Sequence, residues 1–593
     1  MNKMGQVFFL LSVFLTISIQ SCSNDSNQQG DDAGSGDLLE WDEDWSPEGK
    51  WGAEGDIDDN GNGGDEDANG SDMDTDADTD TDTDTDTDTD TDTDADADVD
   101  AGEDASLDAG EDSGGVGDAG DIDEAGVKTR DDDDENGEDD DDDDNHGNSE
   151  PQVFYLSADD SNSQSSPVLV RHMIQSGNRV PSSAIRIWEF LNYYNFSYDP
   201  PVNGALSVSQ QMRPCDVDRG MYALQIGVQG RHVSMDANRP VNITLVLDSS
   251  GSMSGEPIAL LRNVCQAIAA SLRNGDVVSM VSWDTSQNVI LDSYEVEGPD
   301  DNHLLEVISG LEASGGTDLH AGLVTGYGLA EKNYMHGGLN RVVLISDGMA
   351  NAGVTDLDII ADAAKGSEGE GIYLVGVGTG VASGYNDELM DTVTDSGKGA
   401  SLFVDSREEA FKMFNDRFLA TMEVTALDVQ VEMTLPPYFY IDKFFGEEYS
   451  QEPSEVEPQH LAPNDAMIFQ QLIKTSRPKE VYANYSIDLK VTYTDALSGK
   501  EETVTTSSTL QELVNGRYNE LRKGDTIVVY AQTLSLVAIE LDDNDDQGAI
   551  EVCEWGLDIV SRSAQKLNDD DLHEISDLLE TYCSNIPFDS YYD

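Results

Sequence analysis

The chain has 593 residues, of which 121 are acidic and 31 basic, for a formal net charge of −90. So acidic a chain excludes nucleic-acid binding, which needs basic patches to meet the phosphate backbone. The length leaves room for several domains, and the charge is spread unevenly along it.

Lys3 precedes an apolar run from Val7 to Ile19. About 13 apolar residues fall short of the roughly 20 that span a bilayer, so residues 1–21 read as a signal peptide. The ending Ile19-Gln20-Ser21-Cys22 resembles a bacterial lipobox, which implies an acylated Cys22; an ordinary secretory signal with an incidental Cys is the alternative. No other apolar stretch reads as a span, which leaves the lipid as the one membrane attachment. Ser23 is not an Asp-type retention signal, which favours the outer membrane. Residues 23–150 hold 53 acidic residues against Lys50, Lys128 and Arg130, with Asp and Thr alternating from Asp74 to Asp94. Too little apolar surface is present to offset chain entropy, so 22–150 is expected to be a disordered acidic stalk; weak Ca²⁺ binding by the Asp ladder is the other reading.

From Val153 the hydrophobic density is that of a globular protein. Ser166–Gly177 and Pro181–Tyr194 read as helices and 205–236 as strands, a flanking module over 151–240. Residues 241–421 alternate strands (241–247, 277–283, 341–346, 371–377, 401–404) with helices (near 256–273, 302–312, 318–333, 356–367, 385–394, 406–420). Continuous apolar strands such as Val342-Val343-Leu344-Ile345 predict a sheet buried on both faces. Between 422 and 516, alternation at Leu427–Leu435, Met467–Ile473 and Tyr485–Thr494 predicts a β-sandwich that the strands at 205–236 can join. Residues 517–593 read as helices. The expected fold class is thus α/β: a doubly wound, mostly parallel sheet inserted in or flanked by a β-sandwich, with C-terminal helices and a disordered acidic N-terminal stalk.

Cys265 shares an apolar helix face with Leu261, Ile268 and Leu272 and reads as a buried thiol. Cys553 and Cys583 lie about 13–15 residues either side of a turn near 566–570, hence at similar heights on antiparallel helices. A disulfide suits an exported protein, with two separate buried cysteines as the alternative. Cys215 is left unassigned.

Asp248-Ser249-Ser250-Gly251-Ser252 leaves the apolar run 241–247 on a turn, one carboxylate and two hydroxyls at alternate positions. Such an oxygen cluster suits a hard divalent cation. Gly315-Gly316-Thr317-Asp318 and Ile345-Ser346-Asp347-Gly348 fall where loops meet the same sheet edge, the ligand side of a doubly wound fold. Together these segments resemble the Asp-x-Ser-x-Ser metal-ion-dependent adhesion site (MIDAS) of the von Willebrand factor A (VWA) domain, over about 30% of the chain. The resemblance implies Asp248, Ser250, Ser252, Thr317 and Asp347 as direct or water-mediated ligands of Mg²⁺, with Mn²⁺ or Ca²⁺ as alternatives. It also implies a vacancy for a partner's Asp or Glu. Asp318 begins a helix and reads as a dipole partner there. The stretch Arg186 to Tyr194, then Pro200-Pro201, Arg213-Pro214-Cys215 and Asn386 to Met390, are similar to modules around this domain in bacterial VWA lipoproteins.

Asp543, Asp545, Gln547 and Glu554 match the oxygen positions of a 12-residue calcium loop with Gly548 at its sixth place; an acidic helix–helix turn is the plainer reading. His320 and His336, the histidines nearest in sequence, lie on a helical stretch and complete no nucleophile–base set, so an enzyme is not expected. The leading expectation is a lipid-anchored cell-envelope protein that grips a protein partner through Mg²⁺. The alternative is a structural envelope protein in which the metal only stabilises the fold.

Overall fold

The computed structural model describes residues 149–158, 162–215, 220–235, 239–283, 287–316, 318–348, 371–380, 385–478 and 481–588. The signal segment, Cys22, the acidic stretch up to 148, Thr317 and the helix expected at 356–367 lie outside the described residues.

Strand β1 (Gln152–Ser157) leads into α1 (Ser165–Gln175) and α2 (Ile187–Tyr193). The single helix expected over Pro181–Tyr194 is broken, with Ile185 and Arg186 extended. Ser166 causes the break: its Oγ donates to the Ala184 carbonyl (2.6 Å) and accepts from the Arg186 N–H (3.1 Å). Strands β2 (Leu206–Pro214) and β3 (Met221–Gly230) follow.

The α/β domain then runs through β4 (Val241–Asp248), α3 (Glu256–Ser271), β5 (Val277–Trp283), β6 (Gln287–Glu295), α4 (Asn302–Ser309), α5 (Leu319–Lys332) and β7 (Leu339–Ser346). It continues with β8 (Ile372–Gly378), α6 (Asp387–Ser396), β9 (Ser401–Phe403), α7 (Arg407–Phe411) and α8 (Phe418–Met422). Its sheet has the order β6-β5-β4-β7-β8-β9, parallel throughout except for β6 at the edge. Every residue of β4 and β7 is buried. Alternate side chains feed two cores, Leu245, Leu247, Val343 and Ile345 on one face and Val246, Val342 and Leu344 on the other. Strand β6 has only the three-residue apolar run Val289-Ile290-Leu291 and is mostly exposed, which is why periodicity misses it.

Beyond lie β10 (Ala426–Leu435), β11 (Phe439–Phe444), β12 (Glu448–Ser450), β13 (Gln459–Leu461), β14 (Ala466–Thr475), β15 (Ser486–Asp495), β16 (Lys500–Thr509) and α9 (Leu510–Val514). Two antiparallel sheets, β12-β1-β10-β15-β16 with β13 on β10 and β11-β14-β3-β2, share a core that includes Phe154, Met212, Ile226, Val431 and Phe469. Pairing of β1 with β10 (Leu156 opposite Val431) and of β3 with β14 (Ile226 opposite Phe469) ties chain from before the α/β domain to chain after it.

Three helices end the fold: α10 (Asn519–Asp542), α11 (Asp546–Leu567) and α12 (Asp570–Ser584). Against expectation, α10 is long and apolar enough to cross a bilayer. Its apolarity serves packing, since Val529, Tyr530, Leu534 and Val537 are buried in a core shared with α1, α2, α11 and α12. Cys553 on α11 and Cys583 on α12 are joined as a disulfide, and Cys265 is a buried free thiol.

Arg171 on α1 fastens the helical module to the α/β domain. Its guanidinium reaches Asp405 after β9 (2.7 Å), Glu409 on α7 (2.8 Å) and the Tyr193 hydroxyl (3.0 Å), and also pairs with Glu574 on α12 (3.4 Å). Arg171→Met strands two buried carboxylates, a change that costs about 3–5 kcal/mol. Chemical denaturation should show an unfolding free energy lower by that amount, and an unchanged value refutes the clamp.

Candidate metal centre

Strand β4 is buried along its whole length and delivers Asp248 to the C-terminal edge of the sheet with no exposed surface. One carboxylate oxygen accepts from the Ser250 N–H (2.9 Å) and the other from the Ser346 hydroxyl (2.6 Å). Among the described residues no lysine, arginine or histidine forms an ion pair with Asp248. Burial pushes its carboxyl up to about 6, the neighbouring charge of Asp347 adds to the rise, and the bonds from Ser250 and Ser346 oppose it.

The turn after Asp248 is pinned from both sides. Ser249 donates through its N–H and its hydroxyl to the Trp283 carbonyl at the end of β5 (2.9 Å each), so its side chain is spent on the sheet. Ser314 N–H donates to the Ser249 carbonyl (2.6 Å) and Gly251 N–H to the Gly315 carbonyl (3.1 Å), which lays the loop ending at Gly316 on this turn. The hydroxyls of Ser250, buried, and Ser252, exposed, stand 3.0 Å apart. Asp347, buried, follows β7 on the same edge, and its carbonyl accepts from the Asn386 N–H (3.0 Å). Gly348 has φ +74°, and a Cβ there would stand 2.6 Å from the Asn386 carbonyl oxygen, so the loop closes on glycine.

Four of the five residues expected at the site, Asp248, Ser250, Ser252 and Asp347, thus lie on two adjoining loops at one sheet edge; Thr317, the fifth, lies outside the described residues. Asp318 caps α5 by accepting from the Ala321 N–H (3.2 Å), the helix-start role read for it. Ser346, within Ile345-Ser346-Asp347-Gly348, joins the site without being among the residues expected there. Its role depends on β7 being the parallel neighbour of β4, which local sequence does not encode.

The calcium loop is not formed. Asp543 closes α10 and Asp545 caps α11 by accepting from the Gly548 N–H (2.8 Å), which leaves a three-residue turn where the motif needs twelve. Gln547 sits on α11 bonded to Glu551 (3.1 Å), and Glu554 is exposed further along the same helix. Ala549, Val552 and Cys553 face the core and hold that helix straight through the motif.

The family model for the von Willebrand factor type A domain matches residues 242–417, the α/β domain with the Asp248 turn at the end of its first strand. The chain contains a VWA domain. A second model, described as von Willebrand factor, matches residues 142–224 in the flanking module. Two curated proteins are similar: the uncharacterized protein YfbK of Escherichia coli, 26% identical over 45% of this chain and 48% of its own length, and the uncharacterized protein sll0103 of Synechocystis, 22% identical over 40% and 55%. The chain therefore spans about half the length of the curated relatives it matches. A von Willebrand factor type A structure from Catenulispora acidiphila aligns with a TM-score of 0.40 at 13% identity, over 63% of this chain and 89% of its own. VWA domains serve protein interaction or adhesion in general.

The donor set fits a hard divalent cation. Two buried carboxylates of like sign sit together, with no positive side chain paired to Asp248 among the described residues, and the other donors are hydroxyls, the hard oxygens that Mg²⁺ prefers. A raised carboxyl binds its proton more tightly in the folded state, so in metal-free protein its stabilising contribution is full below pH ~4 and is lost as pH rises through about 6. The loss is about 3 kcal/mol at most. In EDTA at pH 7.5, Asp248→Asn should therefore melt above the wild type, whereas added Mg²⁺ should raise the wild type alone. Melting points that ignore both the substitution and the pH would refute the assignment.

Proposed function

We propose that this VWA protein is a cell-envelope lipoprotein, anchored through Cys22 at the outer membrane, which holds a protein partner by an Asp or Glu carboxylate at a Mg²⁺ site. Asp248, Ser250, Ser252, Thr317 and Asp347 would hold the ion. One observation carries the reading: a buried acid at the sheet edge has hydrogen bonds but, among the described residues, no ion-pair partner, and an exposed hydroxyl stands beside it. Bound Mg²⁺ supplies an acceptor position for the partner's carboxylate oxygen. The protein residues do the rest. Ser250 N–H and Ser346 fix the orientation of Asp248, and the 314–316 loop keeps the turn from opening. The reading is of a binding protein rather than an enzyme. We read the two antiparallel sheets as a β-sandwich interrupted by the VWA domain, and residues 22–150 as an acidic spacer off the membrane.

The full burial of Asp248 favours a second reading, in which the ion only relieves a buried charge and stabilises the fold. Capture of partners from cell-envelope extracts separates the two. With the adhesive site, recovery falls at least tenfold in EDTA and in Ser252→Ala, whose exposed hydroxyl contributes little to packing. Undiminished capture by Ser252→Ala and in EDTA, with a lower melting temperature in EDTA, would favour the structural reading instead.

A further inference from the structure

The Asp347 turn rests on a loop that chain outside the VWA domain holds in place. The Asp347 carbonyl accepts from the Asn386 N–H (3.0 Å), and a Cβ on Gly348 would stand 2.6 Å from the Asn386 carbonyl oxygen. Contact that close leaves the turn no freedom to move unless residues 385–387 move with it. Those residues are themselves fixed. Asn386 caps α6 by accepting from the Leu389 N–H (3.3 Å), and Tyr385 lies over the end of β8, where a Cβ on Gly378 would stand 2.4 Å from its ring.

The grip on this loop comes from the helical module that precedes the domain. Asp387, the first residue of α6, accepts from the Ser165 hydroxyl with one oxygen (2.9 Å) and pairs with Arg186 through the other (2.5 Å). Ser165 is buried at the start of α1 and accepts in turn from Arg186 (3.0 Å). Arg186 is also paired with Glu189 on α2, a buried acid that accepts from the Ser166 N–H (2.7 Å). A second link is apolar: the Tyr385 ring meets Phe403, centroids 4.9 Å apart, and Phe403 belongs to the core formed with the helical module.

We infer that Arg186 and Ser165 are positioning residues of the metal centre, which act through Asp387 and Asn386 to hold the Asp347 turn at the Asp248 edge. The inference rests on the Mg²⁺ reading above and adds that cation affinity is set in part from outside the VWA domain. Removing a group that orients a metal ligand typically costs about 10–100-fold in affinity, and a chain of two contacts places this case near tenfold. The coupling is reciprocal, so an ion that favours this arrangement also favours the docked module. Its sign separates it from simple electrostatics. Loss of a positive side chain near a cation site tightens the cation by charge alone, so weaker binding in Arg186→Gln reports displaced ligands.

The test titrates Mg²⁺ into the full chain by calorimetry, with melting in EDTA measured separately for each variant. Arg186→Gln should weaken Mg²⁺ by about tenfold, and Ser165→Ala, which changes no charge, should weaken it in the same direction. If Arg186→Gln does not fold, Ser165→Ala decides. Variants that bind Mg²⁺ as tightly as the wild type, or more tightly, overturn the inference even if they melt lower in EDTA, because a merely structural contact moves only the melting point. Failure of the underlying reading looks different. A wild type with no saturable response to Mg²⁺, in heat or in melting temperature, overturns both, whereas a responsive wild type with unaltered variants overturns this inference alone.

Discussion

The carboxylate of Asp248 is held at the end of β4 by neutral donors that fix its orientation, with no ion-pair partner among the described residues. In a low-dielectric interior such a group either takes up a proton or draws in a cation. A second acid, Asp347, arrives on the next parallel strand and deepens the need. Parallel pairing of β4 with β7 brings both acids to one edge, and the hydroxyls of Ser250 and Ser252 complete a hard-oxygen face beside them.

The surrounding fold keeps that edge in place. The loop after β8 reaches the site through Asn386, whose N–H holds the Asp347 carbonyl, and Asp387 is taken by Ser165 (2.9 Å) and Arg186 (2.5 Å) of the helical module. Arg171 fastens the same module to Asp405 and Glu409. Chain preceding the VWA domain thus packs beside its ligand edge, while the paired strands β1–β10 and β3–β14 support the domain from its two chain ends.

Much of this was legible because the information was local. Apolar runs announced β4, β7 and β8, the Asp-x-Ser-x-Ser spacing announced the turn, and helical spacing on either side of a short turn placed Cys553 level with Cys583. Where local reading failed, a tertiary contact had overruled it. Ser166 interrupts the Pro181–Tyr194 helix from another segment, and core packing of Ala549 and Val552 carries α11 through a calcium-loop motif. Strand β6 forms by pairing with β5 while showing little apolar pattern of its own.

The sequence by itself determined the buried strands and most of the helices, and which oxygen-bearing side chains stand at strand ends, because hydrophobic period and turn chemistry act over a few residues. Only the tertiary structure decided that Ser346 holds Asp248, that Arg341 is buried against the Tyr373 ring, and that α10 is a core helix. Those outcomes depend on which strands and helices become neighbours, and burial then sets the cost of each charge left among them.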